Sequence, residues 1–324
     1  MKFGVLIAIA FLFLGLGAFY RWWSNQLLPV NPSDNHQIEF TVQPNETASQ
    51  VVVSLSSSRL IRSDLAAKLY LKYTGLDQKI RPGLYTLSPN NGLGEIFQAL
   101  TSGPADIRVT IPEGWRREQI AARVKANISS FDITDFLKRT ASLEGQLFPD
   151  TYLLPANATA SDVVQIFLSN FTAKTSLDLQ STYQITLGKS TISLTGSQVL
   201  ALASLVEREA KHDSDRPTIA GILIKRLDQG WPLQVDATVQ YAQNHDPDWW
   251  APVTDTKFPS IYNTYLHPGL PPHPIANPGL ASITAVLHPQ DTVYWYYLAS
   301  PDGVTHYAPD LAGHNLNIDK YLSP

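Results

Sequence analysis

The sequence contains no cysteine, and this absence removes several kinds of chemistry at once. Without thiols the chain can form no disulfide, has no thiol nucleophile and cannot build a thiolate metal site. Charged residues make up only 16% of the chain, below the roughly 25% that is usual for soluble domains. The net charge is −4 and no block of like charge occurs. This pattern argues against nucleic acid as a partner, because phosphate binding requires clustered Lys and Arg.

A long apolar run without charge lies at the N-terminus, from Phe3 to Tyr20. It just reaches the roughly 20 residues that are needed to cross about 30 Å of hydrocarbon. Trp22 and Trp23 follow where an interfacial aromatic belt would lie. A cleaved signal peptide is the alternative, but the run is longer than a usual h-region and has few basic residues before it. The sequence therefore predicts a transmembrane anchor over residues 1–23, with the remaining chain exported.

The exported part changes character along its length. After a polar, Pro-containing stalk, the alternating apolar residues of Ile38–Val42 predict a strand, and short helices and a second strand follow. Seven of the eight histidines fall between residues 212 and 314, so we expect the chemistry in the last part of the chain. We predict an α+β protein with an anchor, a stalk, a small α+β domain, a connecting α+β region and a catalytic domain, in the ranges 1–23, 24–36, 37–104, 105–190 and 191–324.

One glutamate stands out in the predicted helix that begins after Thr195, whose spacing to Gln198 is that of a capping box. With about 100° between successive residues, Glu207 falls inside the apolar arc of this helix and Glu209 at its opposite edge. A carboxylate in an apolar arc must be paired, protonated or functional. Glu207 is therefore either a general acid or a structural glutamate bonded to Arg226 or to a backbone amide. Glu209 is expected to form a salt bridge at the helix edge.

Motifs in the second half of the chain occur in the order found in one known family. They are Ala203–Ala210, Ile219–Leu227, Leu233–Tyr241, Tyr262–Tyr265, Gly269–Gly279, His288-Pro289 and His314-Asn315, preceded by Leu143–Gly145 and Pro149–Tyr152. From about residue 38 to the end, the chain resembles the YceG-like (MltG) family of endolytic murein transglycosylases. It departs from the family pattern at Lys225, where Asn is usual, at Ala237, where Pro is usual, and at His306, which lies one position away from the expected histidine.

The resemblance implies a bacterial inner-membrane enzyme with a LysM-like small domain that cuts peptidoglycan glycan strands by lytic transglycosylation. It assigns the acid catalyst to Glu207, on a helix of the catalytic domain. It also implies a substrate cleft that is formed by Gln234, Asp236, Tyr262, Asn263, Tyr265 and Asn277. A penicillin-binding peptidoglycan synthase is the expected protein partner. No cofactor or metal is expected, because acid–base chemistry on an acetal needs none.

The reaction that the resemblance implies requires a single acid. Glu207 would protonate the glycosidic oxygen, and the sugar's own 6-hydroxyl would then attack C1 to leave a 1,6-anhydro end. Glu144 is a weaker acid candidate. A hydrolytic muramidase is an alternative, because Asp236 could act as the second carboxylate that hydrolysis needs.

Two other classes of protein are alternatives to the lytic enzyme. A non-catalytic glycan-binding scaffold would not need Glu207. A metal hydrolase is disfavoured, because three of the histidines precede Pro and no pair has ligand spacing.

Overall fold

Helices and short two-stranded sheets alternate along the chain, which the computed structural model describes for residues 2–104, 106–244, 253 and 255–322, with side chains from residue 11 onward. The α+β class is therefore confirmed. The chain divides into two units. The first comprises the residues up to Ile107 together with Leu153–Asn157, and the second comprises Arg108–Tyr152 and the residues from Ala158 on.

The first unit is built on one antiparallel strand pair. Its elements are α1 (Lys2–Leu27), β1 (Ile38–Val42), α2 (Ala48–Ser57), α3 (Asp64–Thr74), β2 (Gly83–Leu87) and α4 (Leu93–Ser102). β1 pairs with β2 from Ile38 opposite Leu87 to Val42 opposite Gly83. Apolar side chains of α2 and α4 pack against this pair, and Leu55 and Phe97 are fully buried. The strand predicted at Ile38–Val42 is confirmed.

The end of α1 is fastened to the first unit by hydrogen bonds. The guanidinium of Arg62 donates to the carbonyl groups of Leu28 and Pro29, at 3.2 and 2.9 Å from Nε. The amide of Asn31 donates to Pro89 O at 3.0 Å. The first residues of the predicted stalk are therefore held in place. The predicted anchor includes residues 1–10, whose side chains lie outside the described part of the chain. Within the described part, no helix combines the length and apolar character that crossing a membrane requires.

The second unit begins within β3 (Asp106–Thr110), which pairs with β4 (Thr151–Pro155). Its helices are α5 (Arg117–Asn127), α6 (Ile133–Arg139), α7 (Ala160–Thr175), α8 (Gly196–Glu209), α9 (Arg216–Asp228), α10 (Asp236–Gln243), α11 (Leu280–Leu287) and α12 (Leu311–Tyr321). Two hairpins complete it, formed by β5 (Thr182–Leu187) with β6 (Ser190–Thr195) and by β7 (Tyr296–Ala299) with β8 (Thr305–Ala308).

Helix α8 is the centre of the second unit. Its side chains are apolar on nearly every face, and every residue from Val199 to Glu207 is buried. A helix that is apolar all round belongs in a core, and α8 is packed against α9, α10 and α11. The capping box is present as predicted: Gln198 N donates to Thr195 Oγ1 at 3.3 Å, and Thr195 N donates to Gln198 Oε1 at 2.8 Å. The same core includes Phe148 and Phe171, so residues before 191 also pack around α8.

Candidate active site

The C-terminal turn of α8 carries two glutamates that point in nearly opposite directions. Glu207 and Glu209 are two residues apart, which on a helix is a rotation of about 200°. Glu207 faces α9 and α11, where it contacts Arg216 and Ser282. Glu209 faces the hairpin of β7 and β8, where it bonds to Tyr297. The two carboxylates therefore occupy different environments.

Glu207 is held at both carboxylate oxygens. Arg216 Nη2 donates to Oε1 at 2.9 Å, and the amide of Gly279 and the hydroxyl of Ser282 donate to Oε2 at 2.9 and 2.8 Å. The side chains of Glu207 and Arg216 are only 5% and 6% exposed. The sequence left open a structural glutamate bonded to Arg226 or to a backbone amide. Glu207 does bond to a backbone amide, but its arginine partner is Arg216 and not Arg226.

Arg216 connects this ion pair to further carboxylates. Its Nε donates to Ser282 Oγ at 2.8 Å, and its Nη1 contacts Asp213. Its Nη2 lies 3.5 Å from Glu113 Oε2. Burial raises the pKa of Glu113, and the charge of Glu207 raises it further, whereas Arg216 opposes the change. Glu113 and Arg216 were not predicted from the sequence, because only the tertiary fold brings them to Glu207.

Glu209 lies in the wall of a cavity of about 580 Å³. Polar and aromatic side chains form most of this wall: Arg208, Arg226, Gln234, Asp236, Tyr265, Tyr296, Tyr297, Thr305 and His314. Burial raises the pKa of Glu209 to about 7, and the charge of Asp236 adds to this rise. The Tyr297 hydroxyl and the positive charges of Arg208 and Arg226 oppose it. A carboxyl group with a pKa near 7 can hold a proton at neutral pH and donate it, which a general acid must do.

Three of the six predicted substrate contacts line this cavity together with Glu209: Gln234, Asp236 and Tyr265. The hydroxyl of Tyr265 donates to Asp236 Oδ1 at 2.6 Å and so fixes the direction of that carboxylate. Gln234 has a φ of 55°, in the left-handed region that non-glycine residues seldom adopt. Such backbone strain is concentrated at functional sites.

The other three predicted contacts do not line the cavity, and two of them hold loops together. Asn263 is fully buried, and its side-chain amide donates to Thr256 O and Phe258 O at 2.9 and 2.8 Å. Asn277 is also fully buried and joins Trp115 O to the carboxylate of Glu144. The ring of Tyr262 packs against Tyr241, with 4.9 Å between the ring centroids.

Glu144 is a buried carboxylate on another side of the second unit. It accepts hydrogen bonds from the Arg117 amide and from Asn277 Nδ2, the latter at 2.7 Å. Burial raises the pKa of Glu144 to about 8, with a further contribution from the charge of Glu118. The residue is only 7% exposed and does not line the cavity of Glu209. Its bonds indicate that it joins the loop at residue 144 to the loop at residue 277.

The C-terminal histidines occupy different positions. His314 lines the cavity, where burial and the charge of Arg226 lower its pKa. His306, whose position departs from the family pattern, stacks on Tyr321 and contacts Ser300 Oγ through Nε2 at 3.0 Å. Within the described residues, no group of three or more His, Asp or Glu side chains is arranged to hold a metal ion.

Comparison with known proteins places the chain in one family. The YceG-like family matches residues 40–320. An endolytic murein transglycosylase of Bacillus subtilis is 31% identical over 339 positions, which cover 95% of this chain and 91% of that protein. Endolytic murein transglycosylases from two strains of Streptococcus pneumoniae are 24% identical, and the chain covers 64% of their length.

A solved structure gives the same result for the fold. The crystal structure of a putative YceG-like protein from Listeria monocytogenes superimposes with a TM-score of 0.54 and 26% identity. The match covers 87% of this chain and 99% of the other. The chain belongs to the YceG-like family.

Proposed function

We propose that this protein is an endolytic lytic transglycosylase that cleaves the β-1,4 bond between N-acetylmuramic acid and N-acetylglucosamine in peptidoglycan. The observation that carries the proposal is Glu209, a carboxyl group with a pKa of about 7 in the wall of a cavity of polar and aromatic side chains. The similarity to endolytic murein transglycosylases supports the substrate and the reaction.

The geometry favours Glu209 over Glu207 as the acid. The three hydrogen-bond donors on Glu207 are a buried arginine, a backbone amide and a hydroxyl, and together they occupy both carboxylate oxygens. A general acid must reach the glycosidic oxygen with its proton, and Glu209 is part of the cavity wall. We therefore propose that Glu209 transfers the proton, and that Glu207 holds Arg216 and the start of α11 in position.

The reaction then proceeds with one carboxyl group in two roles. Protonated Glu209 donates its proton to the glycosidic oxygen, the C1–O bond breaks, and positive charge develops at C1 of the muramic acid. The 6-hydroxyl of the same sugar attacks C1 and gives its proton to the Glu209 carboxylate. The products are a 1,6-anhydro end and a free 4-hydroxyl, and Glu209 returns to its protonated form. Because the nucleophile belongs to the substrate, correct holding of the ring supplies much of the rate.

Three residues of the cavity wall are proposed sugar contacts. We propose that Gln234, Asp236 and Tyr265 contact the sugar next to the cleaved bond. Asp236 is exposed and is bonded to Tyr265 Oη, so its free oxygen can accept from a sugar hydroxyl. Tyr262, Asn263 and Asn277 are proposed to support the loops behind this wall rather than to bind substrate.

The test is product analysis by mass spectrometry. Peptidoglycan is digested by the purified full chain, by Glu209→Gln and by Glu207→Gln. We expect 1,6-anhydro-N-acetylmuramic acid ends with the unaltered protein, and a release about 10²–10⁴-fold slower with Glu209→Gln, since a general acid contributes about that factor. The matched control is Glu207→Gln, which makes the same chemical change on the same helix.

The two variants separate catalysis from folding. Glu207→Gln leaves the buried Arg216 with weaker partners, and breaking a buried ion pair costs about 3–5 kcal/mol. It should therefore lower the unfolding temperature and retain activity in the folded fraction. If Glu207→Gln is folded and inactive while Glu209→Gln is active, then Glu207 is the acid, as the sequence predicted. Reducing ends in place of anhydro ends would show hydrolysis, with Asp236 as the second carboxylate.

The proposed function also concerns the location of the protein, its N-terminal segments and its protein partner. We propose that residues 1–23 anchor the chain in the bacterial inner membrane with the catalytic part outside the cytoplasm. The charge-free run from Phe3 to Tyr20 supports this proposal. We propose that the domain at residues 37–104 is a LysM-like glycan-binding module. We propose a penicillin-binding synthase as the protein partner. If no such synthase copurifies with this protein after cross-linking, that partnership is contradicted.

A further inference from the structure

A second depression in the second unit lies outside the cavity of Glu209. Its volume is about 240 Å³, below the roughly 300–1,000 Å³ of sites for drug-sized ligands, so it suits a single sugar ring. It lies between the turn of the β5–β6 hairpin and the end of α9. Its polar groups are the side chains of Lys189, Ser190, Lys225, Asp228, Gln229 and Asp291, and Trp295 forms part of its wall.

Trp295 lines this depression, and Trp231 packs against Trp295 just outside the lining. The rings of Trp231 and Trp295 have centroids 4.7 Å apart. Lys225 Nζ lies 4.4 Å from the ring centroid of Trp295 and donates to Thr292 O at 2.8 Å. The backbone of Trp231 is fixed by its amide, which donates to Arg226 O at 2.8 Å. Trp231 remains 42% exposed, so a large aromatic surface stays open to solvent on a fixed backbone.

The turn of the β5–β6 hairpin lies close to one of the two acidic residues of the depression. Gly188 has a φ of 60°, and a Cβ at this position would collide with the carboxylate of Asp291. The glycine therefore allows the turn to approach Asp291 closely. Asp228, at the end of α9, supplies a second exposed carboxylate, and its neighbour Gln229 supplies an amide.

This combination of groups matches the chemistry of a sugar. A pyranose ring has an apolar face of C–H groups that packs on an aromatic ring, and hydroxyl groups at its edge that donate to carboxylates. We propose that the depression is a second glycan subsite, at which one amino sugar of the strand stacks on Trp231 and donates hydroxyl groups to Asp228 and Asp291. The inference rests on the proposed function, because that function makes a glycan polymer the substrate.

One arginine connects this subsite to the cavity of Glu209. Arg226 lines the cavity, and its Nε and Nη2 donate to Trp295 O at 3.0 and 2.7 Å. Tyr296, the next residue, is part of the cavity wall and lies under the Arg226 guanidinium, with 5.3 Å from Cζ to the ring centroid. We therefore propose that a polymer with one sugar beside Glu209 extends past Trp295 to Trp231. The subsite should favour long strands over short fragments.

The test measures binding without cleavage. The ligands are glycan strands freed of stem peptides and a single N-acetylglucosaminyl-N-acetylmuramic acid disaccharide, and binding is measured by calorimetry on the full chain carrying Glu209→Gln. Adding Trp231→Ala should raise the Kd for strands about tenfold, and Asp228→Asn about threefold. Trp231→Phe, which keeps a ring, should stay within threefold. Leu316→Ala removes a 69% exposed apolar side chain of the second unit that lines neither the depression nor the cavity, and it should leave the Kd unchanged.

Each outcome bears on the subsite separately from the reaction. The disaccharide should bind equally well with and without Trp231→Ala, because the cavity is intact. Strands that bind Trp231→Ala as tightly as its parent would overturn the subsite, and so would an equal loss for strands and disaccharide. If the unaltered protein forms no anhydro ends but its strand binding depends on Trp231, the subsite stands and the proposed reaction fails. If anhydro ends form and Trp231→Ala changes nothing, the reaction stands alone.

Discussion

At the scale of single residues, two glutamates on one helical turn have different surroundings, and we propose separate roles for them on that basis. Glu207 accepts hydrogen bonds from the buried, positively charged Arg216 and from two neutral donors. Glu209 is buried beside the Tyr297 hydroxyl and near the carboxylate of Asp236. Surroundings of this kind set different acid–base roles for chemically identical groups. The burial of Glu207 therefore does not identify it as the acid.

The pH dependence of the reaction should report Glu209. The first step requires its protonated form, and burial raises its pKa to about 7. We expect kcat/KM to be level below pH 6 and to fall as the pH rises through 7, reaching about a hundredfold loss at pH 9. The measurement is the initial rate of anhydro-end formation between pH 5 and 9.

Two controls accompany this profile. Glu207→Gln should show the same midpoint in its folded fraction. A rate that stays level from pH 6 to 9 would contradict the assignment of the acid to Glu209.

The sequence predicts the burial of Glu207 but not its partner. Helical periodicity is a local property, and it correctly places Glu207 in the apolar arc. Arg216 lies on the next helix and Gly279 and Ser282 lie more than 70 residues away, so no local pattern reveals them. For the same reason the sequence does not show that Glu209 faces a cavity whose wall includes Tyr296 and Tyr297.

At the scale of elements, local signals predict where helices begin. Thr195 and Gln198 form their capping box, and Ser63 caps α3 through the Ala66 amide at 3.3 Å. Loops are harder to interpret, because residues of a functional motif serve either the ligand or the loop itself. Asn263 and Asn277 illustrate this, since their side-chain amides donate to backbone carbonyl groups of nearby loop residues.

Close packing of α9 should make one glycine irreplaceable. A Cβ on Gly221 would collide with the carbonyl oxygen of Gln290, which is backbone and cannot turn aside. Gly221→Ala should therefore destabilise the protein by about 1–3 kcal/mol, the usual range for overpacking, although alanine is the better helix former. Urea unfolding followed by circular dichroism measures the change.

Gly313→Ala on α12 is the matched control. Its added methyl group meets only ordinary contacts, at 3.4 Å from Ala308 Cβ, so it should be neutral or stabilise by about 0.5–1 kcal/mol. Equal stability of the two alanine variants would show that α9 can move away from the loop at residue 290.

At the scale of the whole molecule, the α+β class and the family are predicted well, because motif order is a property of the entire chain. The positions of the domain boundaries stay a prediction. Phe148 and Phe171, from the predicted connecting region, share one core with α8. Sequence composition does not reveal such sharing, because it records where the chain changes character and not which parts pack together.

The predicted anchor can be tested on the intact protein. We expect the full chain to stay with the membrane fraction after extraction at alkaline pH, because the run from Phe3 to Tyr20 has about the length that spans a bilayer. A variant with Leu12→Arg and Leu16→Arg should be released, since each charge at the centre of a membrane helix costs about 2.5–3.5 kcal/mol. Replacing both leucines by alanine is the control. Release of the unaltered chain would refute the anchor.

The hydrogen bonds of Arg62 to Leu28 and Pro29 change how such an anchor works. A flexible tether lets a domain sample every orientation within its reach. In the proposed anchor, a fastened joint would turn the first unit whenever the helix tilts, so the lipid thickness that sets the tilt would also set the direction in which this unit faces. On that proposal, bilayer composition would become a variable of wall remodelling, acting through Arg62.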